Sequence, residues 1–399
     1  MKILCVWGRH NYGDPERGES YEYVNFLPAL SALGHEVTFF EAWNRRSYAN
    51  FAELNCQLLR VVDEVRPDMV FTVLLSYEIW LETLDLIREA LGCPVLNWGT
   101  DDSWRYAQFS RFIAPHVDRY ATTYESALER FRTDGIRNAV LTQWAASSAA
   151  LREPVPATAC KYQVSFVGSA YGRRARWIAG LAKRGVQAEC FGHGWPNGAV
   201  AAERIPEIIR SSVISVNFSE AGQGQTAARQ IKARVFEVPG SGGFLLTQTA
   251  PGLGRFYLPG LEIETFDSQE ELAAKVKRYL ADSEARDRVA RAGYLRTRRE
   301  HTYEERFSRL LADITPAAPR ATSAEDAWTR MNALASCHSA KPWERLLAGA
   351  LAAPAVAAWG RRRGRRAARR VLFELSWRLA GERTYTSRGC PGRLFYAES

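Results

Sequence analysis

Residues 232–247 read KARVFEVPGSGGFLLT, and this stretch indicates the fold most directly. The pattern predicts a cationic helix over residues 226–237, which carries Lys232 and Arg234 and ends at Glu237. A glycine-rich turn follows, and residues 242–246 then form a short buried strand. A helix that leads through a tight turn into an apolar strand is typical of a parallel sheet covered by helices.

Strands and helices alternate on both sides of this stretch. The predicted strands of the second half are residues 162–167, 187–191 and 213–218, and the predicted helices are residues 174–184, 202–210, 268–281 and 283–299. The first half shows the same alternation, with predicted strands at 3–7, 35–40, 69–74, 94–98, 119–122 and 139–142 and predicted helices at 21–33, 51–65, 78–91, 103–112 and 126–133. Short connections between such elements indicate parallel sheets with helices on both faces.

We therefore predict an α/β fold of two doubly wound, Rossmann-like domains that face each other across a cleft. The sequence EPVP at 153–156 is a plausible hinge, so the first domain is placed at residues 1–155 and the second at 156–315. Residues 316–399 form a linker and an arginine-rich helical tail.

The positive charge of the chain is confined to that tail. The sequence has 53 Lys+Arg and 44 Asp+Glu, a net charge of +9. Residues 340–399 hold 13 basic and 4 acidic side chains, a balance of +9, so the preceding 339 residues are neutral. The body therefore lacks the charge of a nucleic-acid binder, and no nucleic-acid partner is expected.

Cysteine and histidine usage points to a cytoplasmic protein without a structural metal. The seven cysteines are an odd number, are widely scattered and include no C-x-x-C pair, which indicates reduced thiols. The six histidines form no metal-ligand cluster, and Met1 runs directly into a strand-like segment rather than a signal peptide.

Two interpretations of the tail remain open. The apolar run 346–359 is too short to span a bilayer and contains Pro354. Seven arginines follow within residues 361–370, and residues 371–379 are again rich in apolar side chains. This pattern fits a helix that lies on an anionic membrane surface, and it also fits a helix that packs on the body with a solvated basic face.

Ligands of open α/β sheets bind at the carboxyl ends of the strands, so the loops there are the candidate sites. Gly168 opens a loop between a strand and a helix, and its amides, together with Arg173, suit a diphosphate. Trp195 follows another strand and could stack on a nucleobase whose edge His193 reads. The alternative for Gly168 is a simple turn without a ligand. The alternative for Trp195 is a side chain that packs on the protein in a flexible, glycine-containing loop.

The opening stretch supplies further candidates. Lys232 and Arg234 could neutralise phosphate oxygens, and an ionised Glu237 can accept hydrogen bonds from both hydroxyls of a ribose. The alternative is a solvated basic face with a surface carboxylate.

Residues 164–307 resemble the nucleotide-sugar-binding domain of GT-B glycosyltransferases, in particular the group-1-like branch that includes the spore-maturation protein CgeB. The segments that carry the resemblance are residues 167–169 (VGS), 214–218 (ISVNF), 234–247 (RVFEVPGSGGFLLT), 261–266 (LEIETF), 270–272 (EEL) and 301–307 (HTYEERF).

The resemblance implies a nucleotide-sugar donor bound by the second domain and an acceptor bound by the first. Glu237 matches the second glutamate of the family's E-x7-E element, which holds the ribose, whereas Arg229 stands at the position of the first. Asn217, Gly242 and Gly243 would shape the floor of the donor pocket. No cofactor or metal ion is expected, because cationic side chains and helix N-termini can stabilise a leaving diphosphate.

The first domain would supply a general base. Asp101 and Asp102 follow a predicted strand, and repulsion between adjacent carboxylates could raise the pKa of one of them. Both are also good N-cap residues for the helix at 103–112. His10, Asp14 and Glu19 in the loop after the first strand are rival bases, and His10 is favoured since the unperturbed pKa of histidine lies near neutrality.

The predicted function is transfer of a sugar from a nucleotide-sugar to an acceptor hydroxyl of an envelope or lipid-linked glycan. The tail would hold this cytoplasmic enzyme on the inner face of the membrane. The alternatives are a non-catalytic sugar- or nucleotide-binding component of an envelope or spore-coat assembly, a nucleic-acid protein that uses the arginine run, and a sugar epimerase of the same shape.

Overall fold

The structure is a computed structural model, and it describes residues 1–220, 229–312, 314 and 324–399. The chain divides into two compact units, Met1–Leu141 with Ala312–Ser399, and Thr142–Leu311. The second unit thus begins before the predicted hinge. The reason is that residues 142–155 pack on it: Ala146 bridges Thr302, and the amide of Arg152 donates to the carbonyl of Gly240.

The first unit is built on a six-stranded parallel sheet in the order β2-β1-β3-β4-β5-β6. Its strands are β1 (Lys2–Trp7), β2 (Glu36–Glu41), β3 (Met69–Thr72), β4 (Val95–Gly99), β5 (Arg119–Thr122) and β6 (Ala139–Leu141). Its helices before residue 141 are α1 (Tyr21–Ala32), α2 (Phe51–Val65), α3 (Leu81–Asp85), α4 (Asp102–Arg105), α5 (Arg111–Ile113) and α6 (Glu125–Thr133), with π-helical turns at Leu86–Ala90 and Tyr106–Ser110.

The sequence specifies this sheet through its apolar strands. Ile3–Trp7 of β1 are buried without exception because helices cover both faces. Ser20 fixes the start of α1: its hydroxyl accepts from the amide of Tyr23 at 3.1 Å and donates to the carbonyl of Gly8 at 2.6 Å. This cap holds the first turn of α1 against the end of β1.

The second unit is built on a five-stranded parallel sheet in the order β11-β10-β9-β7-β8. Its strands are β7 (Tyr162–Val167), β8 (Glu189–Phe191), β9 (Ser212–Asn217), β10 (Leu245–Gln248) and β11 (Glu264–Phe266). Its helices are α7 (Arg174–Lys183), α8 (Ile205–Arg210), α9 (Arg234–Gly240), α10 (Gln269–Ala281), α11 (Ser283–Glu300) and α12 (Tyr303–Leu311). The predicted α/β fold with two parallel-sheet domains is confirmed.

The helix predicted at 226–237 is shifted toward the C-terminus. Residues 226–228 lie outside the described residues, and α9 begins only at Arg234. Before it, Arg229 forms an antiparallel bridge with Glu220, and the amide of Gln230 donates to the carbonyl of Ser219 at 3.0 Å. The chain therefore runs back along the end of β9 before it turns into the helix.

The C-terminal region is helical, as predicted, and consists of α13 (Ala324–Cys337), α14 (Pro342–Ala380) and α15 (Cys390–Leu394). Pro354 lies inside α14, whereas the backbone breaks at Gly360, with φ 75° and ψ 165°. A side chain at Gly364 would lie 2.4 Å from the backbone of Val356, so the two arms of α14 fold back on each other. We call this element the C-terminal hairpin, with arms 342–359 and 361–380.

None of the helices in the described parts of the chain is both long and apolar enough to cross a membrane.

Candidate functional site

The order of strands in the second unit creates a crevice at the ends of β7 and β9. These strands are neighbours, but the chain leaves β7 toward β8 on one side and leaves β9 toward β10 on the other. The loops after the two strands therefore diverge, and ligands of doubly wound sheets bind at such a point. The loop that begins at Gly168 and the segment that leads into α9 both lie there.

Polar contacts join the two sides of this crevice. Arg173, in the loop after β7, forms an ion pair with Glu220, just after β9, with Nη2 2.8 Å from the carboxylate. Lys232 Nζ lies 3.3 Å from the hydroxyl of Tyr171. The contacts place two of the three predicted phosphate ligands, Arg173 and Lys232, in one cluster.

Arg174 is the most constrained cation of the cluster. Its guanidinium lies 3.8 Å from the centre of the Tyr171 ring and donates to the carbonyl of Ser169 at 3.0 Å. Its Nε is buried without a hydrogen-bond partner in the structure. Burial lowers the pKa of Arg174, and the nearby charge of Arg234 acts in the same direction. A half-buried cation whose Nε has no partner is suited to an anionic ligand.

The charges of the cluster are only partly compensated. Arg173 pairs with Glu220, and Arg234 pairs with Glu237 at 2.7 Å. Within the described residues, Arg174 and Lys232 have no carboxylate partner. An incoming diphosphate would therefore meet two cations that form no ion pair within the described residues, with Glu220 acting on Arg174 only from a distance.

Trp195 and His193 lie beside the same loop. The indole Nε1 of Trp195 donates to the carbonyl of Gly168 at 2.8 Å, and its ring packs edge-on against Phe166. The imidazole of His193 is exposed, and its carbonyl accepts from the amide of Ala170 at 2.8 Å. Trp195 thus ties two loops together, and its part in base binding, like that of His193, stays a prediction.

Buried amides lie at the ends of β9 and β10. Asn217 donates to the hydroxyl of Thr247 at 2.9 Å, and Gln248 contacts both Ser219 and Glu220. These bonds fix the carboxylate of Glu220 next to Arg173. Asn217 is therefore near the cluster but is occupied by a neighbouring strand.

Gly242 and Gly243 lie at the opposite edge of the sheet, before the start of β10. A side chain at Gly242, where φ is 78°, would lie 2.6 Å from the carbonyl of Arg152, and one at Gly243 would lie 2.5 Å from Ile209. Both positions require glycine for packing and turn geometry. The structure does not bring them to the crevice.

Arg229, which stands at the first glutamate position of the E-x7-E element, has a carboxylate partner of its own. It forms an ion pair with Asp267, which also accepts from the hydroxyl of Thr249 at 2.9 Å. Desolvation opposes ionisation of Asp267, yet the hydrogen bonds from Arg229 and Thr249 hold its pKa below the usual value. The positive charge at position 229 is thus compensated by the end of β11.

In the first unit, the side chain of Asp102 is held in the protein interior by hydrogen bonds. Its buried carboxylate accepts hydrogen bonds from Ser110 at 2.5 Å, Tyr120 at 3.0 Å and Thr122 at 2.6 Å. Burial is the largest cause of the shift and raises the pKa of Asp102 against the hydrogen bonds from these three donors. The main cause of the raised pKa is therefore burial, whereas the sequence suggested repulsion between adjacent carboxylates.

Asp101 is exposed and conformationally strained. Its φ is 58°, a region that non-glycine residues rarely adopt, and its side chain forms no cap hydrogen bond to α4. Tyr12, in the loop after β1, also has a positive φ of 55° and lies within electrostatic reach of Asp101. Strained residues of this kind concentrate at functional sites.

Glu22 lies between these loops, in the first turn of α1. Its side chain is buried, and burial, followed by the negative charge of Asp101, raises its pKa to about 7. No sequence motif marks this position. His10 lies in the same loop as Tyr12 and is half-buried, bridged through its backbone to Glu19.

Metal-ligating side chains do not cluster in the described residues: no group of three His, Cys, Asp or Glu could hold an ion there. All seven cysteines are free thiols.

Residues 173–312 match the model of the glycosyl transferase-like family, and they span α7 to α12 of the second unit. Comparison with the sequences of curated proteins finds no match. The solved structures that the chain resembles share little sequence with it. Sucrose-phosphate synthase from Thermosynechococcus elongatus is 11% identical, with a TM-score of 0.57 over 78% of this chain and 98% of that one.

HepE from Anabaena, solved in complex with UDP, is 12% identical, with a TM-score of 0.54 over 79% of this chain and 100% of that one. AviGT4, a glycosyltransferase involved in avilamycin A biosynthesis, is 16% identical, with a TM-score of 0.50 over 78% of this chain and 98% of that one. The chain has the fold of these GT-B proteins, and its second unit carries a glycosyl transferase-like domain.

Proposed function

We propose that this protein is a glycosyltransferase that moves a sugar from a nucleoside diphosphate to an acceptor hydroxyl. The observation that carries the proposal is the cation cluster at the β7–β9 crevice, where Arg174 and Lys232 form no ion pair within the described residues. A diphosphate suits this cluster because its oxygens accept charge-assisted hydrogen bonds from both side chains. The family match covers the same unit.

The donor site would use predicted residues, together with Arg174, in three roles. Gly168 lets the loop approach the diphosphate, and Arg173, Arg174, Lys232 and Arg234 offset its charge as the sugar leaves. Glu237 accepts hydrogen bonds from the ribose hydroxyls. Trp195 and His193 lie on the side where the base would bind. No metal ion is required in this scheme.

UDP-sugars are the first donors to test. HepE has been solved with UDP-glucose as well as with UDP, and it shares the fold of this chain. This proposal concerns the nucleotide only.

We assign the general base to Glu22, with Asp101 beside it. A base works best when its pKa lies near the working pH, and Glu22 meets this condition whereas Asp102 is held by three hydroxyl groups. Asp101, exposed at a strained backbone position, would contact the acceptor. His10 is the rival base, and the experiment described below distinguishes it from Glu22.

The acceptor is proposed to be a hydroxyl of an envelope or lipid-linked glycan. The support is the basic tail, whose charge suits an anionic surface on the cytoplasmic side of a membrane. The CgeB-like relationship remains part of this proposal.

The decisive experiment measures sugar release and transfer from UDP-sugars by wild type, Glu22→Gln, Asp101→Asn and His10→Gln, beside UDP binding. We expect Glu22→Gln to keep UDP binding and to lose transfer by about 100-fold or more, the scale of general-base catalysis. If His10→Gln lost transfer to this extent and Glu22→Gln did not, the general base would be His10. Binding of UDP without any turnover by wild type would instead identify a non-catalytic binding component.

A further inference from the structure

Large apolar side chains are concentrated on the surface of the C-terminal hairpin. Fifteen such side chains are exposed in the described residues, and eight of them lie on α14. They are Trp343, Leu346, Leu347, Leu351, Trp359, Val371, Leu375 and Leu379. An exposed apolar surface of this density marks an interaction site.

The hairpin has one inner face, which is packed. Ala348 and Ala352 of the first arm and Ala368 of the second are buried in a small core with Phe395. Gly364 permits the close approach of the arms. Small residues therefore hold the arms together, and the large apolar side chains are left on the outside.

The outer face of the first arm is continuous. Trp343, Leu347 and Leu351 follow one another at a spacing of four residues, so they lie on one side of the helix. Leu351 and Trp359 line a groove together with Val371 of the second arm, and Leu375 follows Val371 by one turn. The apolar surface thus extends across both arms.

The arginines of the second arm include some that pack on the body and others that lie on an outer face. Arg365 pairs with Glu398 and lies over the ring of Phe395, and Arg369 reaches the hydroxyl of Tyr77, so these two pack on the body. Arg363, Arg366 and Arg370 are spaced three and four residues apart and share an outer face. The described residues give these three no carboxylate partner.

The outer surface of the hairpin is positively charged. Residues 342–380 contain nine arginines and two glutamates. Glu344 pairs with Arg393 and Glu374 pairs with Arg378, so both carboxylates are already neutralised. Arg361, Arg362 and Arg365 also line a cavity of about 500 Å³ beside Glu398, large enough for a phosphate headgroup.

We infer that the C-terminal hairpin docks flat on an anionic phospholipid surface, with Trp343, Leu347, Leu351 and Trp359 in the interface and Arg363, Arg366 and Arg370 on lipid phosphates. Amphipathic elements with this composition lie in the plane of a membrane, where apolar burial and charge attraction add. The inference rests on the proposed function only for its purpose, because a lipid-linked acceptor is reached from such a surface. The docking element is the whole hairpin rather than a single helix.

Flotation of the full-length protein with vesicles tests the inference. The vesicles contain phosphatidylcholine alone or with about one-third phosphatidylglycerol. We expect binding to the anionic vesicles only, a loss of tenfold or more in the variant Arg363→Gln/Arg366→Gln/Arg370→Gln, and a similar loss in Leu347→Gln/Leu351→Gln. The control Arg288→Gln/Arg291→Gln/Arg298→Gln removes the same charge from exposed positions of α11 and should bind as wild type does.

Three results would overturn the inference: no binding to anionic vesicles, equal loss in the α11 control, or a concentration-dependent dimer in light scattering that the Leu347→Gln/Leu351→Gln variant abolishes. Binding of RNA or DNA that competes with vesicles at equal affinity would also count against it. Failure of the proposed function is separately visible, because UDP binding by the second unit does not depend on the hairpin variants.

Discussion

At the scale of single residues, Arg174 is the central cation of the proposed donor site, because its Nε is buried without a hydrogen-bond partner in the described part of the chain. Replacement by glutamine should weaken UDP binding by about 10- to 100-fold, since hydrogen bonds to charged groups contribute about 1.5–3 kcal/mol. Arg174→Lys should be intermediate, as it keeps the charge but loses the planar fork. Calorimetric titration with UDP measures the effect.

Arg176, exposed on the same helix, is the matched control. Arg176→Gln should bind UDP as wild type does. Equal weakening in both variants would show that α7 contributes only general positive charge.

Glu22 should reveal itself through the pH dependence of stability. Its pKa rises from 4.5 in the unfolded chain to about 7 in the folded protein, so the folded state holds a proton that the unfolded state has lost. The free energy of unfolding therefore falls between about pH 4.5 and pH 7, by about 3 kcal/mol for this group. Glu22→Gln cannot ionise and should be more stable than wild type at pH 8 by up to that amount, but not at pH 4.5.

Urea unfolding at both pH values measures this difference. The control Glu16→Gln, at an exposed site in the preceding loop, should follow wild type at each pH. If the free energy of unfolding of Glu22→Gln differed from that of wild type by the same amount at pH 4.5 and at pH 8, this result would contradict a buried, titrating carboxyl at position 22.

At the scale of elements, the glycine turn before β10 is expected to affect stability but not UDP binding. Gly242→Ala would force φ 78° on a residue with a side chain and bring its Cβ to 2.6 Å from the carbonyl of Arg152. We expect a loss of about 1–3 kcal/mol in unfolding free energy with UDP affinity retained, because the turn lies at the other edge of the sheet.

Gly254→Ala is the control for this variant. A side chain there meets nothing within 4 Å, and the backbone does not have a positive φ, so its stability should change little. A loss of UDP binding in folded Gly242→Ala would return this glycine to the donor site.

The C-terminal hairpin depends on the close approach of its arms. Gly364→Ala places a methyl group 2.4 Å from Val356 and should separate the arms, which trypsin would report as faster cleavage in the arginine run. Gly349→Ala, on an open face of the first arm, should leave cleavage unchanged or slow it, since alanine is favoured in helices. Equal cleavage of both variants would argue against a packed hairpin.

The elements that the sequence predicts best are those whose signal is local. The buried strands β5 and β7 and the helix α2 match their predicted bounds, because apolar runs and capping residues such as Asn50 mark them. The start of α9 and the bend at Gly360 were not predicted. Both depend on backbone pairing or packing with distant residues, which periodicity does not contain.

The same distinction explains the site residues. The sequence placed Arg173, Lys232 and Arg234 in one region through the positions of strand ends. It did not single out Arg174, because only the side-chain geometry shows which member of an arginine pair packs on Tyr171. Glu22 resembles an ordinary acidic residue of a first helical turn, and its burial follows from the fold of two other loops.

At the scale of the whole molecule, chemistry and charge occupy different parts of the chain. The cation cluster proposed to bind the donor belongs to the unit Thr142–Leu311, whereas the hairpin belongs to the unit that contains Glu22 and Asp101. The excess positive charge lies in the tail alone. Nucleotide binding and surface attachment should therefore be separable by substitution.

The most direct test of the central claim is a thermal-shift measurement with UDP, GDP, CDP, ADP and dTDP on wild type, Arg174→Gln and Arg176→Gln, each with EDTA and with Mg²⁺. A ligand at 100 times its dissociation constant stabilises the folded state by about 2.7 kcal/mol. We predict that UDP raises the midpoint of wild type and Arg176→Gln with and without the metal, and that Arg174→Gln loses most of this shift. Absence of a shift with all five nucleotides, or an equal shift in Arg174→Gln, would contradict a nucleotide-sugar site at the β7–β9 crevice.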